Sequence, residues 1–148
     1  MVCCGNPDRG DDDAGHEVAR LLTELGIPAH EHRGDAVALM DAWQGAADVV
    51  LVDAVVTGER PGTLTVWDLL TSPWNGHLRT GSSHVLGLAE AVALARSLDC
   101  LPQRLMLYGI ESRCFDLGRS PSRAVQRGAA RAARKIYEYC VDQRVPAV

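Results

Sequence analysis

The sequence predicts a single α/β domain in three layers, with a twisted mixed sheet of about five strands between helices on both faces. Short runs rich in β-branched residues alternate with longer segments of helical periodicity, which is the pattern of such a sheet. One linker between two of these runs is too short for a parallel crossover, which predicts a mixed sheet. The 148 residues have the size of one domain, 47% are hydrophobic, and no Gly/Ser/Pro-rich linker divides residues 1–148.

The β-rich runs predict five strands, which are Met1–Cys4, Pro28–His32, Asp48–Val52, Thr63–Trp67 and Leu105–Ile110. The linker from Asp53 to Pro61 joins the third strand to the fourth and runs into the turn signal Arg60-Pro61-Gly62. A parallel crossover needs about a dozen residues or more, so these two strands are predicted to be antiparallel. We therefore expect a mostly parallel sheet with Thr63–Trp67 as an antiparallel strand at its edge.

Apolar residues at helical spacing predict four helices, of which the first two belong to the N-terminal half. The first runs from about Asp12 to Leu25, because acidic residues open it and Gly26 closes it. The second follows Asp35 as its N-cap and ends near Trp43-Gln44-Gly45.

The third and fourth helices are predicted in the C-terminal half. The third runs from about Val85 to Leu98, behind the candidate caps Ser82 and Ser83. The fourth is predicted to start at Ser120-Pro121, a cap followed by proline at the first helical position. Its apolar stripe at helical spacing comprises Val125, Ala129, Ala132, Ile136 and Cys140.

The composition excludes several classes of function. A net charge of −4 and a pI near 5.7 argue against general binding of nucleic acid or of acidic membranes. The five cysteines are odd in number and form no C-x-x-C pair, which is typical of reduced, mostly buried thiols in a cytoplasmic protein. No apolar run of about 18 residues predicts a membrane span, and no secretory signal is recognised at the N-terminus. Met1–Cys4 has the character of the end of a strand, which is compatible with further residues before it in the natural protein.

The densest chemical signal is the acidic loop between the first strand and the first helix, Gly5-Asn6-Pro7-Asp8-Arg9-Gly10-Asp11-Asp12-Asp13-Ala14-Gly15. Ligand sites in such sheets lie at this strand-to-helix end. Gly5 and Gly10 have the spacing of a phosphate-binding loop, but Asp11 and Asp12 stand where Lys and Ser or Thr would be needed. These carboxylates would repel a phosphate and suit a cation, unless Asp11 to Asp13 only cap the helix.

Two further polar residues, Asp53 and His84, are predicted at neighbouring ends of strands and helices. Asp53 follows a buried apolar run, where it either faces the same crevice or starts a turn. His84 opens the third helix, where a histidine is either a ligand or a structural or solvated residue. Asp12, Asp53 and His84 together offer two carboxylates and an imidazole, a set that suits a borderline transition metal and leaves coordination positions open. Asp12 and His16, four residues apart, form a rival pair that lies further from the rim.

Other catalytic motifs are missing from the sequence. There is no H-E-x-x-H, and the segment Gly81–Val85 lacks the second glycine of a nucleophile elbow. No cysteine has a sequence-level partner that would activate its thiolate. The fourth helix carries basic residues that form either a solvated face or a docking surface for an acidic partner: Arg123, Arg127, Arg131, Arg134 and Lys135.

Taken in order along nearly the whole chain, the motifs resemble those of the hydrogenase maturation endopeptidases. The shared motifs of the first half are Gly5-Asn6, Gly10-Asp11-Asp12, Gly15, Val52-Asp53-Ala54 and Pro61-Gly62-Thr63. Those of the second half are Ser83-His84, Gly109-Ile110-Glu111, Leu117, Ser120-Pro121 and Ala124-Val125. The chain departs from the family at Arg33-Gly34-Asp35-Ala36, where many members have an Asp-Gly-Gly-Thr-like turn. It also departs at Asp13, where a small residue is common.

The resemblance implies an activity and a ligand set. Members of the family trim a C-terminal extension from the large subunit of nickel–iron hydrogenases after nickel insertion, and their fold is a twisted mixed sheet between helices. In that family an acidic residue of the first loop, the Asp after the third strand and the His before the third helix bind the nickel. These roles fall on Asp12, Asp53 and His84, the residues that the chemistry also selects. The nickel would be presented by the precursor, and other divalent ions such as zinc or cadmium could substitute for it in crystals.

These observations lead to three hypotheses of function. The first is a cytoplasmic, metal-dependent endopeptidase of aspartyl type that acts on a nickel-loaded hydrogenase large-subunit precursor, with Asp12, Asp53 and His84 as its catalytic and metal-binding residues. The second is a non-catalytic metal-sensing chaperone or checkpoint that binds the same precursor. The third is a nucleotide- or flavin-binding module of Rossmann type, which the acidic loop opposes. No nucleic-acid partner is expected.

Overall fold

The computed structural model describes residues 2–4, 10–32, 35–72 and 83–144, and every structural statement below concerns those ranges. Five strands are present: β1 (Val2–Cys4), β2 (His30–His32), β3 (Asp48–Val55), β4 (Leu64–Asp68) and β5 (Arg104–Glu111). The α-helices are α1 (Ala14–Glu24), α2 (Ala36–Trp43), α3 (Ser83–Ser97) and α4 (Arg123–Arg144). A 3₁₀ turn, Gly10–Asp13, leads directly into α1. The predicted elements are therefore confirmed, with shifts of a few residues at their ends.

The strands form one mixed sheet in the order β2-β1-β3-β5-β4. All neighbouring pairs are parallel except β4 and β5, which are antiparallel, so β4 is an antiparallel edge strand as predicted. The third and fourth strands run in opposite directions, but they are not neighbours, because β5 lies between them. The reason lies in burial: β5 is buried along almost its whole length, whereas the half-buried β4 fits an edge.

The side chains of the sheet alternate between two hydrophobic cores. On one face the odd-numbered residues of the central strands, such as Leu51 and Leu107, pack with α2 and α3. On the other face the even-numbered residues, such as Val52 and Ile110, pack with α1 and α4. Each face of the sheet therefore carries its own hydrophobic core, as expected for a chain of this size.

Two helix starts illustrate how local chemistry sets the boundaries. The carboxylate of Asp35 accepts a hydrogen bond from the Ala38 N–H at 3.0 Å, which confirms it as the N-cap of α2. The fourth helix does not start at Ser120-Pro121 as predicted; it starts at Arg123, with Ser122 in the cap position. The Ser122 side-chain oxygen accepts from the Val125 N–H at 3.4 Å. The residues before Ser122 are held in a non-helical path by the acidic turn, as described below.

The longest helix, α4, buries the predicted apolar stripe. Four residues of the stripe are fully buried, namely Val125, Ala129, Ala132 and Ile136, and Cys140 is half-buried. The expectation of mostly buried thiols is wrong for the described cysteines, because Cys100 is exposed and Cys114 and Cys140 are only partly buried. The other faces of α4 are polar, and none of the helices in the described ranges has the length and apolarity needed to cross a membrane.

The helix α4 packs directly on the turn between β3 and β4. Gly62 adopts a left-handed conformation with φ +83°, and a Cβ there would lie 2.7 Å from the carbonyl carbon of Ala124. A Cβ on Gly128 would lie 2.6 Å from the Gly62 carbonyl oxygen. Glycine at both positions therefore allows the backbone of the turn to lie against the backbone of the helix.

Candidate functional site at the carboxyl edge of the sheet

The strand order reverses at β1, which is where a sheet of this kind is expected to have a crevice. From β1 the chain passes through α1 to β2 on one side, whereas β3 lies on the other side of β1. In open α/β sheets, ligands bind outside the carboxyl ends of the strands at this kind of switch point. The turn Gly10–Asp13, which follows β1, packs against β3. The structure therefore places the turn that contains Asp12 against β3.

Asp53 lies inside β3 and not after it, because the strand continues to Val55. Its alternative role as the first residue of a turn is therefore wrong. It is only 2% exposed, and the alternation of β3 directs its side chain to the same face as Leu51 and Val55. Its Oδ1 accepts a hydrogen bond from the Ala54 N–H at 2.8 Å. A carboxylate buried near the end of a central strand is costly to keep unless hydrogen bonds or a cation stabilise it.

His84 is the second residue of α3, on the face of the sheet toward which Asp53 points. The C-terminus of α3 leads within a few residues to Arg104, where β5 begins, so α3 runs antiparallel to β5. Its first turn consequently lies at the carboxyl edge, the edge that also carries Asp53. The side chains of Asp12 and His84 lie outside the described part of the structure. Whether Asp12, Asp53 and His84 bind one metal ion therefore stays a prediction.

The described side chains do not offer a competing metal centre. No group of three or more His, Cys, Asp or Glu residues among them is arranged to hold a metal ion. His16, from the rival pair, lies in the first turn of α1, closer to the helix start than predicted. Its Nδ1 is 3.1 Å from a carboxylate oxygen of Glu31 on β2. This contact directs the imidazole toward the outer strand β2.

Asp11 belongs to the acidic loop, and the structure shows that its side chain is almost fully buried, at 1% exposure. Its Oδ2 accepts hydrogen bonds from the N–H groups of Arg113 at 3.1 Å and Cys114 at 3.0 Å. Its Oδ1 accepts one from the Ser122 N–H at 2.7 Å. Asp11 does not simply cap α1, because its partners belong to the loop between β5 and α4.

The backbone around Asp11 reinforces this connection. The N–H of Gly10 donates to the Arg119 carbonyl oxygen at 2.9 Å, and the N–H of Asp11 donates to the Cys114 carbonyl oxygen at 2.7 Å. Gly10 has φ +58°, and a Cβ there would lie 2.7 Å from the same Cys114 oxygen. These bonds hold the loop before α4 against the acidic turn, and they explain why α4 begins only after Ser122.

A second buried carboxylate, Glu111, organises the turn after β3. It is 2% exposed, and its oxygens accept hydrogen bonds from the Thr57 N–H at 2.9 and 3.0 Å and from the Thr57 hydroxyl at 2.7 Å. The Gly58 N–H donates to it at 3.1 Å. The sequence indicated Glu111 only through the motif Gly109-Ile110-Glu111. Its position at the end of a buried strand was the available signal for a structural carboxylate.

Comparisons with known proteins relate the chain to hydrogenase maturation proteases. A family model described as HycI, hydrogenase maturation protease, matches residues 34–139. Protein FrxA of Pyrococcus furiosus is 29% identical over 131 residues, which cover 86% of this chain and 93% of that protein.

Solved structures share the fold. The [NiFe] hydrogenase maturation protease HybD from Thermococcus kodakarensis superposes with a TM-score of 0.76 at 24% identity, covering 93% of this chain and 96% of that one. The hydrogenase maturating endopeptidase HybD from E. coli has a TM-score of 0.75 at 19% identity, covering 99% and 94%. At these sequence identities the solved structures establish only a shared fold. The family is established by the family model, which matches most of the chain.

Proposed function

The chain belongs to the hydrogenase maturation protease family and is a hydrolase, and from this premise we propose that it removes the C-terminal extension of a nickel-loaded hydrogenase large-subunit precursor. The substrate class that the family name gives and the similarity to HybD proteases over almost the whole chain support this proposal. The cysteine usage also favours a cytoplasmic place of action.

We assign nickel recognition to Asp12, Asp53 and His84. The observation that carries this assignment is the burial of Asp53, at 2% exposure, on the central strand and on the face that α3 covers. A nearby cation would offset the cost of holding that carboxylate out of water. Asp12 follows β1 at the adjacent strand end, and His84 opens α3 at the same edge. Two carboxylates and one imidazole are donors that nickel accepts.

In this proposal the protein holds the metal-binding side chains in place for the reaction. Asp53 is oriented by the hydrogen bond from the Ala54 N–H, and the turn that carries Asp12 is tied to the loop before α4. A bound nickel ion would supply Lewis acidity that polarises the scissile carbonyl or a water molecule. Three ligands from three separate elements would leave coordination positions open for groups of the precursor.

We further propose that the nickel arrives with the precursor as part of the substrate. A closed structural site normally uses four protein ligands and is needed for folding. Here three ligands are proposed, and a hydrophobic core on each face of the sheet is available to stabilise the fold. Two nearby carboxylates also repel each other until a cation binds, which favours occupancy when a partner presents the ion.

The test is to mix the purified protein with a nickel-loaded precursor and to measure the mass of the product. A loss of mass equal to a C-terminal peptide supports the proposal, and Asp53→Asn provides the inactive control. An intact precursor that nevertheless forms a stable complex with the protein would instead identify a metal-sensing checkpoint without cleavage.

A further inference from the structure

The internal hydrogen bonds of the acidic turn Gly10–Asp13 are too few and too weak to fix its position. It is one short 3₁₀ segment of four residues, and such turns have weak internal hydrogen bonds. Its position is instead set from outside, by the three N–H groups that donate to the Asp11 carboxylate and by the two backbone bonds of Gly10 and Asp11. All five bonds reach the segment from Arg113 to Ser122.

We propose that Asp11 is a positioning residue for nickel recognition: it clamps the turn to the loop before α4 and thereby holds the neighbouring Asp12 at the metal. This inference rests on the proposed function, because it takes Asp12 as a ligand of the nickel of the precursor. Asp11 itself does not bind the metal, because both of its oxygens accept backbone N–H groups and its side chain is buried.

The clamp has a direct energetic reason. A carboxylate that accepts from several N–H groups forms charge-assisted hydrogen bonds, which are shorter and stronger than neutral ones. Groups that orient a ligand are commonly worth about 10–100-fold in metal affinity or activity. Loss of the clamp would let the turn move relative to β3, and the ligand set would lose its fixed geometry while the two hydrophobic cores remain.

The experiment compares Asp11→Asn with Asp116→Asn. Both variants remove one negative charge, but Asp116 is an exposed residue of the same loop, with 68% of its side chain accessible. In Asp11→Asn the amide NH₂ replaces one acceptor oxygen and faces a backbone N–H. Dissociation constants are measured for each variant with the nickel-loaded and the nickel-free precursor. Their ratio does not depend on the folded fraction of the enzyme, so a purely structural defect would not change it.

The nickel preference, the dissociation constant of the nickel-free precursor divided by that of the loaded one, should fall at least about tenfold in Asp11→Asn and stay unchanged in Asp116→Asn. Amide hydrogen exchange at Arg113, Cys114 and Ser122 should become faster only in Asp11→Asn. If Asp11→Asn does not fold, Asp11→Glu keeps the charge but displaces both oxygens, and it should also lower the preference.

Two results would overturn the inference, and they are distinguishable. A wild-type enzyme that binds both precursors equally would remove nickel recognition, and with it the assignment of Asp12, Asp53 and His84 as nickel ligands. A strong wild-type preference that persists in the Asp11 variants would leave the proposed function intact and show that the clamp only stabilises the fold.

Discussion

Asp53 of β3 lies opposite Gly109 of β5 in the parallel register of the two central strands. The position opposite Asp53 on β5 therefore carries no side chain of its own. The space above Gly109 is filled by the indole of Trp67, and a Cβ added at Gly109 would also lie 2.8 Å from Cγ1 of Val55. The glycine thus allows Trp67 of the edge strand to lie over the centre of the sheet, next to the position of Asp53.

Gly109→Ala should destabilise the protein by about 1–3 kcal/mol, because the added methyl group overlaps Trp67. Trp67→Phe removes the ring atom nearest to the new methyl group, so the double variant should lose less than the sum of the two single losses. Urea unfolding of the four proteins measures this coupling. Strictly additive losses would show that the indole does not restrict position 109.

Asp53→Asn and His84→Ala should abolish processing of a nickel-loaded precursor while the protein stays folded. Asn at position 53 can still accept the Ala54 N–H with its carbonyl oxygen, so the local hydrogen bond is preserved without the charge. Leu22→Ala is the opposite control: the side chain is fully buried, and the truncation should cost about 2–5 kcal/mol. Mass spectrometry of the precursor and thermal unfolding separate the two effects. Full processing by both site variants would leave Asp53 and His84 as structural residues.

Gly62→Ala should destabilise the fold more than Gly58→Ala, although both glycines adopt a positive φ in the same turn. An alanine at either position carries left-handed strain of about 1–2 kcal/mol. Only at Gly62 does the new methyl group also meet the Ala124 backbone; nothing lies within 4 Å of a Cβ at Gly58. Denaturant midpoints compare the two variants directly. Equal midpoints would contradict the close packing of α4 on this turn.

The stability of the protein should fall at alkaline pH, and Tyr108→Phe should reduce that fall. Burial raises the pKa of Tyr108 above the ordinary tyrosine value of 10.0, so the folded state keeps the phenolic proton longer than the unfolded chain does. The unfolded state then binds fewer protons, and the free energy of unfolding decreases as the pH rises above about 10. Urea unfolding from pH 8 to 11 tests this. The same slope in wild type and variant would contradict it.

The sequence predicted most of this architecture because the information was local. The period-2 and helical patterns located the strands and helices, and Asp35 was recognised as a cap from its position alone. The insertion of β5 beside β3 was missed, because which strand becomes central depends on burial across the whole sheet. The start of α4 was misplaced for a related reason: Ser120-Pro121 has the local pattern of a helix start, but the distant Asp11 binds the Ser122 N–H.

In the candidate site, too, local patterns could be predicted from the sequence and long-range contacts could not. Asp53 was identified from the apolar run that precedes it, and the structure places it in the central strand at the carboxyl edge. The clamping role of Asp11 could not be predicted, because its partners Arg113, Cys114 and Ser122 are about a hundred residues away and lie in a loop without a repeating pattern.

The most direct measurement compares the cleavage rates of nickel-loaded and nickel-free precursor by chelator-treated enzyme. We expect cleavage of the loaded precursor only, because the nickel of the substrate would complete the site formed by Asp12, Asp53 and His84. Treatment with chelator should leave the thermal unfolding curve unchanged, since the fold rests on its two hydrophobic cores. Equal cleavage of the nickel-free precursor would contradict recognition of the metal and show that the protease reads only the polypeptide.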